Sequence, residues 1–119
     1  MILLRPFVFF VCLLLATASA SAALSAPQRV TGPALATLLY GREQTIFTPD
    51  GLKFHVRYDA KGVMYRGGKP TGVVVKANKT GWCNYVAGKL NLCLTIWKSG
   101  KTYAARNKDG RYAFAFIVQ

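Results

Sequence analysis

Few residues of this sequence could perform acid–base chemistry. The 119 residues contain four carboxylates and one histidine, beside 16 lysines and arginines. Three of the acids, Asp50, Asp59 and Asp109, stand in segments rich in Gly, Pro or Asn, where aspartate supports a turn. General acid–base catalysis needs a second carboxylate or a histidine beside the first. Glu43 alone does not supply such a pair, and we therefore predict that the protein is not an enzyme.

The one histidine stands in a basic setting. His55 lies between Lys53 and Arg57 on the polar side of an alternating segment. Two neighbouring positive charges disfavour a role for this imidazole in proton transfer or metal binding. The sequence also lacks a C-x-x-C pair, a G-x-S-x-G motif and a phosphate-binding glycine loop. We expect no catalytic residue, metal or cofactor.

The excess of positive charge is the main functional signal. The formal net charge is +12, and such a charge favours association with polyanions. Lys53, His55 and Arg57 are our candidate residues for binding an anionic ligand. In an exported protein, anionic envelope polymers and lipid headgroups are more plausible ligands than nucleic acid. The alternative is that the charge serves solubility alone.

The amino-terminal segment has the layout of a secretory signal peptide. Arg5 precedes an apolar run at 6–15, and small residues follow at 16–22. We predict cleavage after Ala22, with an uncleaved membrane anchor as the alternative. The expected product is secreted or periplasmic and has no transmembrane segment. It would comprise a flexible lead-in at 23–30 and a single β domain at 31–119.

Two cysteines remain after the leader, and in an exported chain an even count indicates a disulfide. A three-residue hairpin loop at 87–89 would pair positions whose numbers sum to 176, which places Cys83 opposite Cys93. The alternative is two reduced thiols in the core.

The elements that would position these residues are mostly short strands. Thr31 or Gly32, Pro33 and the leucines that follow predict one short amino-terminal helix. Alternating apolar residues and turn signals every 8–12 residues then predict an all-β fold. We expect an antiparallel meander of about seven to eight strands that closes as a barrel or sandwich. The predicted strands are 44–48, 52–59, 63–66, 73–76, 82–86, 90–97, 102–106 and 111–118.

A second candidate surface is aromatic. By alternation Tyr85 and Trp97 share a face with the two cysteines, opposite the leucines of the segment 90–96. If the leucines form the core, this face points outward and could bind a partner protein. The alternative is a second buried layer beneath the helix.

Several segments together resemble a family of small periplasmic proteobacterial proteins, the domain of unknown function numbered nine-nine-five. They are, in chain order, Leu38-Leu39-Tyr40-Gly41, Pro49-Asp50-Gly51, Tyr58-Asp59, Gly81-Trp82, Lys89-Leu90, Leu92-Cys93, Trp97 and Asp109-Gly110-Arg111-Tyr112. The resemblance covers about residues 31–116, implies a periplasmic all-β protein and supplies no activity.

The sequence therefore predicts an exported, basic, non-enzymatic binding module for an anionic envelope or cell-surface ligand. The alternative is an inhibitor or accessory protein that docks an exported enzyme through Tyr85 and Trp97.

Overall fold

The computed structural model describes residues 26–119, so the predicted leader lies outside the described part of the chain. Nine strands and one helix follow in this order: β1 (Gln28–Val30), α1 (Pro33–Leu39), β2 (Glu43–Phe47), β3 (Lys53–Tyr58), β4 (Val63–Arg66), β5 (Lys69–Ala77), β6 (Trp82–Val86), β7 (Lys89–Ser99), β8 (Thr102–Arg106) and β9 (Tyr112–Val118).

Strands β2 to β9 form a closed antiparallel barrel. Each strand pairs with the next one along the chain, and β9 pairs back onto β2 with Gln44 opposite Val118. Closure leaves the barrel without a first or last strand, which satisfies the backbone groups that an open sheet would expose. The all-β meander with one short helix is thus confirmed, and it is a barrel.

Strand β1 corrects the expected flexible lead-in. Gln28–Val30 pair antiparallel with β7, where Arg29 lies opposite Trp97. β6 pairs only with the first part of β7, up to Leu94. The edge of β7 beyond that point is free for β1. A strand of three residues without alternation has no recognisable sequence pattern. It forms because the edge of a distant strand, β7, is unpaired at this place.

Helix α1 closes one end of the barrel. It begins after Gly32 with Pro33 at its first position, as expected, and its Leu35 and Leu39 are fully buried. Trp82 donates its indole N–H to the Leu35 carbonyl at 3.4 Å, and Gln44 donates to the Leu38 carbonyl at 2.7 Å. The helix thus stands on the end of the barrel where β2 begins and β5 ends.

The other end carries the turns at 48–52, 67–68, 87–88 and 107–111. We call it the open end, because α1 lies at the opposite one.

The cysteine hairpin differs from its prediction in the turn. The loop has two residues, Ala87 and Gly88, with φ of 52° and 75°. Such left-handed pairs form the tight turns that suit the twist of a hairpin. An irregularity leaves Asn91 without a partner and shifts the register by one, so that Cys83 still faces Cys93. The disulfide is present as predicted, with a Cα–Cα distance of 4.0 Å.

The leucines of β7 differ in burial. Leu94 and Ile96 are buried in the core, whereas Leu90 is 59% exposed and Leu92 is 37% exposed. The unpaired Asn91 reverses the direction of the side chains before it, which turns Leu90 outward. Leu92 follows Asn91 and keeps the inward direction of Leu94, but it lies nearer the open end, so the leucine side of this strand is core only in its second part.

Aromatic side chains fill the helix half of the barrel. The Phe116 ring is fully buried and stacks on Trp82 at 5.0 Å and on Tyr103 at 5.1 Å between ring centroids. Large rings are needed here because a small barrel has little other apolar surface to bury.

Candidate functional site

The three predicted anion-binding residues lie along the outer wall of β3. Lys53, His55 and Arg57 are exposed, while Val56 and Tyr58 between and beyond them are buried. The alternation in the sequence therefore correctly predicts that these three side chains lie on the polar side of β3. Leu52 is the exception to the predicted apolar side, because it precedes the strand and is 60% exposed.

Aromatic rings support two of these side chains. The Arg57 guanidinium lies 4.3 Å from the centroid of the Tyr65 ring, and the Lys53 ammonium lies 5.9 Å from that of Phe47. A guanidinium held flat on a ring keeps its N–H groups directed to solvent.

The His55 imidazole belongs to a small polar network on the outer wall. Its Nδ1 lies 2.9 Å from the Thr45 hydroxyl, which also accepts a hydrogen bond from the Gln119 amide at 2.8 Å. The Thr45 side chain points to the outside of the barrel, but His55 and Gln119 cover it, so that it is only 1% exposed. The network fixes the histidine ring and joins the carboxyl-terminal residue to the barrel.

Beside His55 and Arg57 lies a depression of about 350 Å³. Glu43 also lines it and is the cross-strand partner of Arg57. One carboxylate and one guanidinium carry opposite charges, so the depression itself has little net charge. It can hold a ligand, but its charge does not select an anion.

Three of the four acids serve turns, as the sequence indicates. Asp50 accepts a hydrogen bond from a threonine hydroxyl in its turn, and Asp59 accepts two backbone N–H groups at 2.9 Å. Asp109 accepts the backbone N–H of Arg111 and forms an ion pair with its guanidinium at 3.3 Å. Residues 26–119 contain no other ion pair and no cluster of three or more metal-ligating side chains.

The two predicted partner-binding aromatics do not form one surface. Tyr85 lies near the open end with the Lys76 ammonium 5.0 Å from its ring, and Trp97 lies near the helix end with the Arg106 guanidinium at 5.2 Å. Tyr85 lies opposite Leu90, and Trp97 follows Leu90 by seven residues, one of them the unpaired Asn91, which is about 20 Å along the strand. Both rings are half-buried beneath cations.

Sequence reasoning missed an apolar rim at the open end of the barrel. Within residues 26–119, every large hydrophobic side chain that is exposed lies at this end. We call this set the rim: Leu52, Val86, Leu90, Leu92 and Tyr112. The only sequence signal for the rim was the position of Leu52 directly after a Pro-Asp-Gly turn. The exposure of Leu90 could not be predicted, because it follows from the unpaired Asn91.

Inside the barrel lies a partly open cavity of about 190 Å³, which we call the lumen. Inward-facing residues of β2 to β6 and of β9 line it, among them Phe54, Tyr58, Trp82 and Asn84. Burial raises the pKa of the Tyr58 hydroxyl well above its usual value. That hydroxyl is therefore neutral at all physiological pH values.

Comparison with known proteins assigns no relative. No family model matches the chain, and neither a curated protein nor a solved structure is similar to it. The resemblance to family nine-nine-five therefore stays a prediction. Among the described residues, no helix has the length and apolar character needed to cross a bilayer. The disulfide indicates a non-cytoplasmic setting.

Proposed function

We propose that this protein is an exported, non-enzymatic module that binds the anionic headgroups of a lipid membrane through its open end. The observation that carries the proposal is the rim, because all exposed large hydrophobic side chains of residues 26–119 gather there. Soluble proteins rarely leave such residues together on one surface unless that surface binds a partner.

Charge at the same end supports an anionic partner. The strands and turns of the open end carry seven cations and two acids. The cations are Lys53, Arg66, Lys69, Lys89, Arg106, Lys108 and Arg111, and the acids are Asp50 and Asp109. One of these cations is paired with a carboxylate, and both acids are engaged in their own turns. A basic residue close to an anionic membrane contributes about 1 kcal/mol to binding, and apolar side chains add to it by entering the interface.

Of the three candidate anion-binding residues, Lys53 belongs to this surface. Arg57 and His55 lie farther down the wall beside Glu43, whose carboxylate opposes an approaching anion. The helix end is comparably basic, with Arg29, Arg42, Lys61, Lys79, Lys98 and Lys101, but among the described residues no exposed large hydrophobic side chain accompanies them. The combination of charge and apolar exposure favours the open end.

The test is sedimentation with vesicles of phosphatidylcholine, with and without roughly one-third phosphatidylglycerol. The protein should partition onto the anionic vesicles and not onto the neutral ones, and added salt should weaken the binding because it screens the charges. Equal binding to both vesicles, or binding that salt does not change, would contradict the proposal.

Matched variants locate the contact. Lys89→Gln with Lys108→Gln removes two cations of the open end, and we expect partition to fall about 30-fold at about 1 kcal/mol for each charge. Lys61→Gln with Lys98→Gln removes two exposed cations of the helix end and should change it little. Leu52→Ser with Leu90→Ser should weaken binding about tenfold or more through lost apolar contact. Equal losses in the two charge variants would show undirected attraction to the whole cationic surface and would end the assignment.

Export is part of the same proposal. A chain expressed with residues 1–22 should reach the periplasm and begin at Ala23, which mass spectrometry of the purified product measures.

A further inference from the structure

The lumen has the chemistry of a binding site for a small ligand. The inward-facing side chains of five consecutive strands and of β9 line it, and α1 stands on the barrel end away from its mouth. Its walls are mostly hydrocarbon and aromatic, with Phe54, Met64, Val75 and Trp82 among them. Eight-stranded barrels are wide enough inside to hold one small molecule.

Three polar side chains interrupt this apolar wall: Thr48, Tyr58 and Asn84. The Thr48 hydroxyl is hydrogen-bonded within its own turn. Within residues 26–119 the side chains of Tyr58 and Asn84 form no hydrogen bond, and their polar atoms are accessible rather than fully buried. Because Tyr58 is only 4% exposed, its hydroxyl is reached from the lumen, where water or a ligand can pair with it.

Size and charge narrow the ligand class. A cavity of about 150 Å³ with apolar walls accepts benzene, and the lumen is somewhat larger at about 190 Å³. No charged side chain lines it, so an ionised ligand would lose its hydration without gaining a counter-charge.

We propose that the lumen binds a neutral, single-ring aromatic molecule with one hydroxyl group, a simple phenol. Its ring lies among Phe54, Val75 and Trp82, and its hydroxyl exchanges hydrogen bonds with Tyr58 and Asn84. The site is independent of the membrane contact proposed above, because it needs neither the rim leucines nor the surface charge.

The probe is 4-bromophenol, whose bromine quenches tryptophan fluorescence on contact. Trp82 lines the lumen and Trp97 lies on the outer wall, so Trp97→Phe leaves one reporter at the site. Titration in the absence of vesicles should quench Trp82 to saturation. The anion 4-bromobenzoate should not, although the strongly basic surface would attract it more than the neutral phenol.

Two substitutions on one strand provide the matched control. Val75→Phe fills the lumen and should abolish quenching, whereas Val74→Phe, which faces outward, should preserve it. Val73→Phe, which is less buried, replaces Val75→Phe if thermal unfolding shows that the latter does not fold. Tyr58→Phe should weaken binding of 4-bromophenol about fivefold, the equivalent of one neutral hydrogen bond, and leave binding of bromobenzene unchanged.

Quenching that persists in folded Val75→Phe, or equal quenching by 4-bromobenzoate, would overturn the assignment. Failure to saturate would do the same. None of these outcomes bears on vesicle binding, so the two proposals fail separately.

Discussion

Gln44 offers a direct test of how α1 is attached to the barrel. Its side chain is fully buried, its Nε2 donates to the Leu38 carbonyl at 2.7 Å, and its Oε1 has no hydrogen-bond partner within residues 26–119. Gln44→Glu preserves the shape of the side chain and replaces the amide by a carboxyl group. When protonated, that group still donates to Leu38. When ionised, it faces a carbonyl oxygen without a donor.

The variant should therefore lose stability as the pH rises. Burial raises the folded-state pKa of the new carboxyl group above its unfolded value of about 4.3. A group of this kind contributes stability that is present below the unfolded pKa and lost as the pH rises to the folded one. A modest rise of about two pKa units corresponds to about 2.7 kcal/mol. The charged residues that precede it in the chain, Arg42 and Glu43, do not counter this, because Arg42 donates to the Thr37 and Gln119 carbonyls and Glu43 is exposed.

The assay is urea unfolding of both proteins at about pH 4 and about pH 8. Gln44→Glu should nearly match the natural protein at the lower pH and be about 2–3 kcal/mol less stable at the higher one. Gln44→Met has no group that titrates, so its free energy of unfolding should differ from that of the natural protein by the same amount at both pH values. If the free energy of unfolding of Gln44→Glu differed from that of the natural protein by the same amount at both pH values, the hydrogen bond and the burial assigned to this side chain would be refuted.

Three further perturbations test other parts of the barrel. Cys83→Ala with Cys93→Ala should cost roughly 2–3 kcal/mol through loss of a short covalent loop, seen as a lower thermal midpoint that reductant also produces in the natural protein. Gly62→Ala should be at least about 2 kcal/mol more destabilising than Gly68→Ala in urea unfolding. Both glycines have positive φ, but only at Gly62 would a Cβ overlap the Val75 carbonyl oxygen. Tyr58→Phe should remove part of the stability loss above about pH 10. Burial raises the pKa of the Tyr58 hydroxyl in the folded state, so this hydroxyl ionises first in the unfolded chain and thereby lowers the free energy of unfolding. Identical alkaline unfolding of the two proteins would contradict this burial.

The strands were predictable where local alternation and turn residues act together. β3 needs only its alternating side chains and the turns on either side, and β4, β6 and β8 match their expected bounds. The disulfide was predictable for the same reason, although the loop was one residue shorter than expected. Asn91 compensated for that difference, and its position outside the pairing leaves no mark in composition or alternation.

Features made by distant residues were not predictable. β1 exists because β6 leaves part of the β7 edge unpaired, and Thr45 is covered by Gln119, which lies 74 positions away. The rim and the lumen depend on the closure of β9 onto β2 and on the position of α1. The pattern of a single sequence shows which side of a strand is apolar. The closure of the barrel then determines which part of that side is buried and which part stays exposed.

Charge and apolar exposure have different roles in the proposed membrane contact. The 15 cations of residues 26–119 occur on both ends of the barrel and on its wall, and one of them forms an ion pair. Such a distribution attracts the whole molecule to an anionic surface and does not orient it. Within residues 26–119, large hydrophobic side chains are exposed at one end only, so they determine which end meets the bilayer. The rim variants should therefore change the orientation of the bound protein, whereas loss of the helix-end cations Lys61 and Lys98, which would lie away from the bilayer, should change neither the orientation nor, to any large extent, the strength of binding.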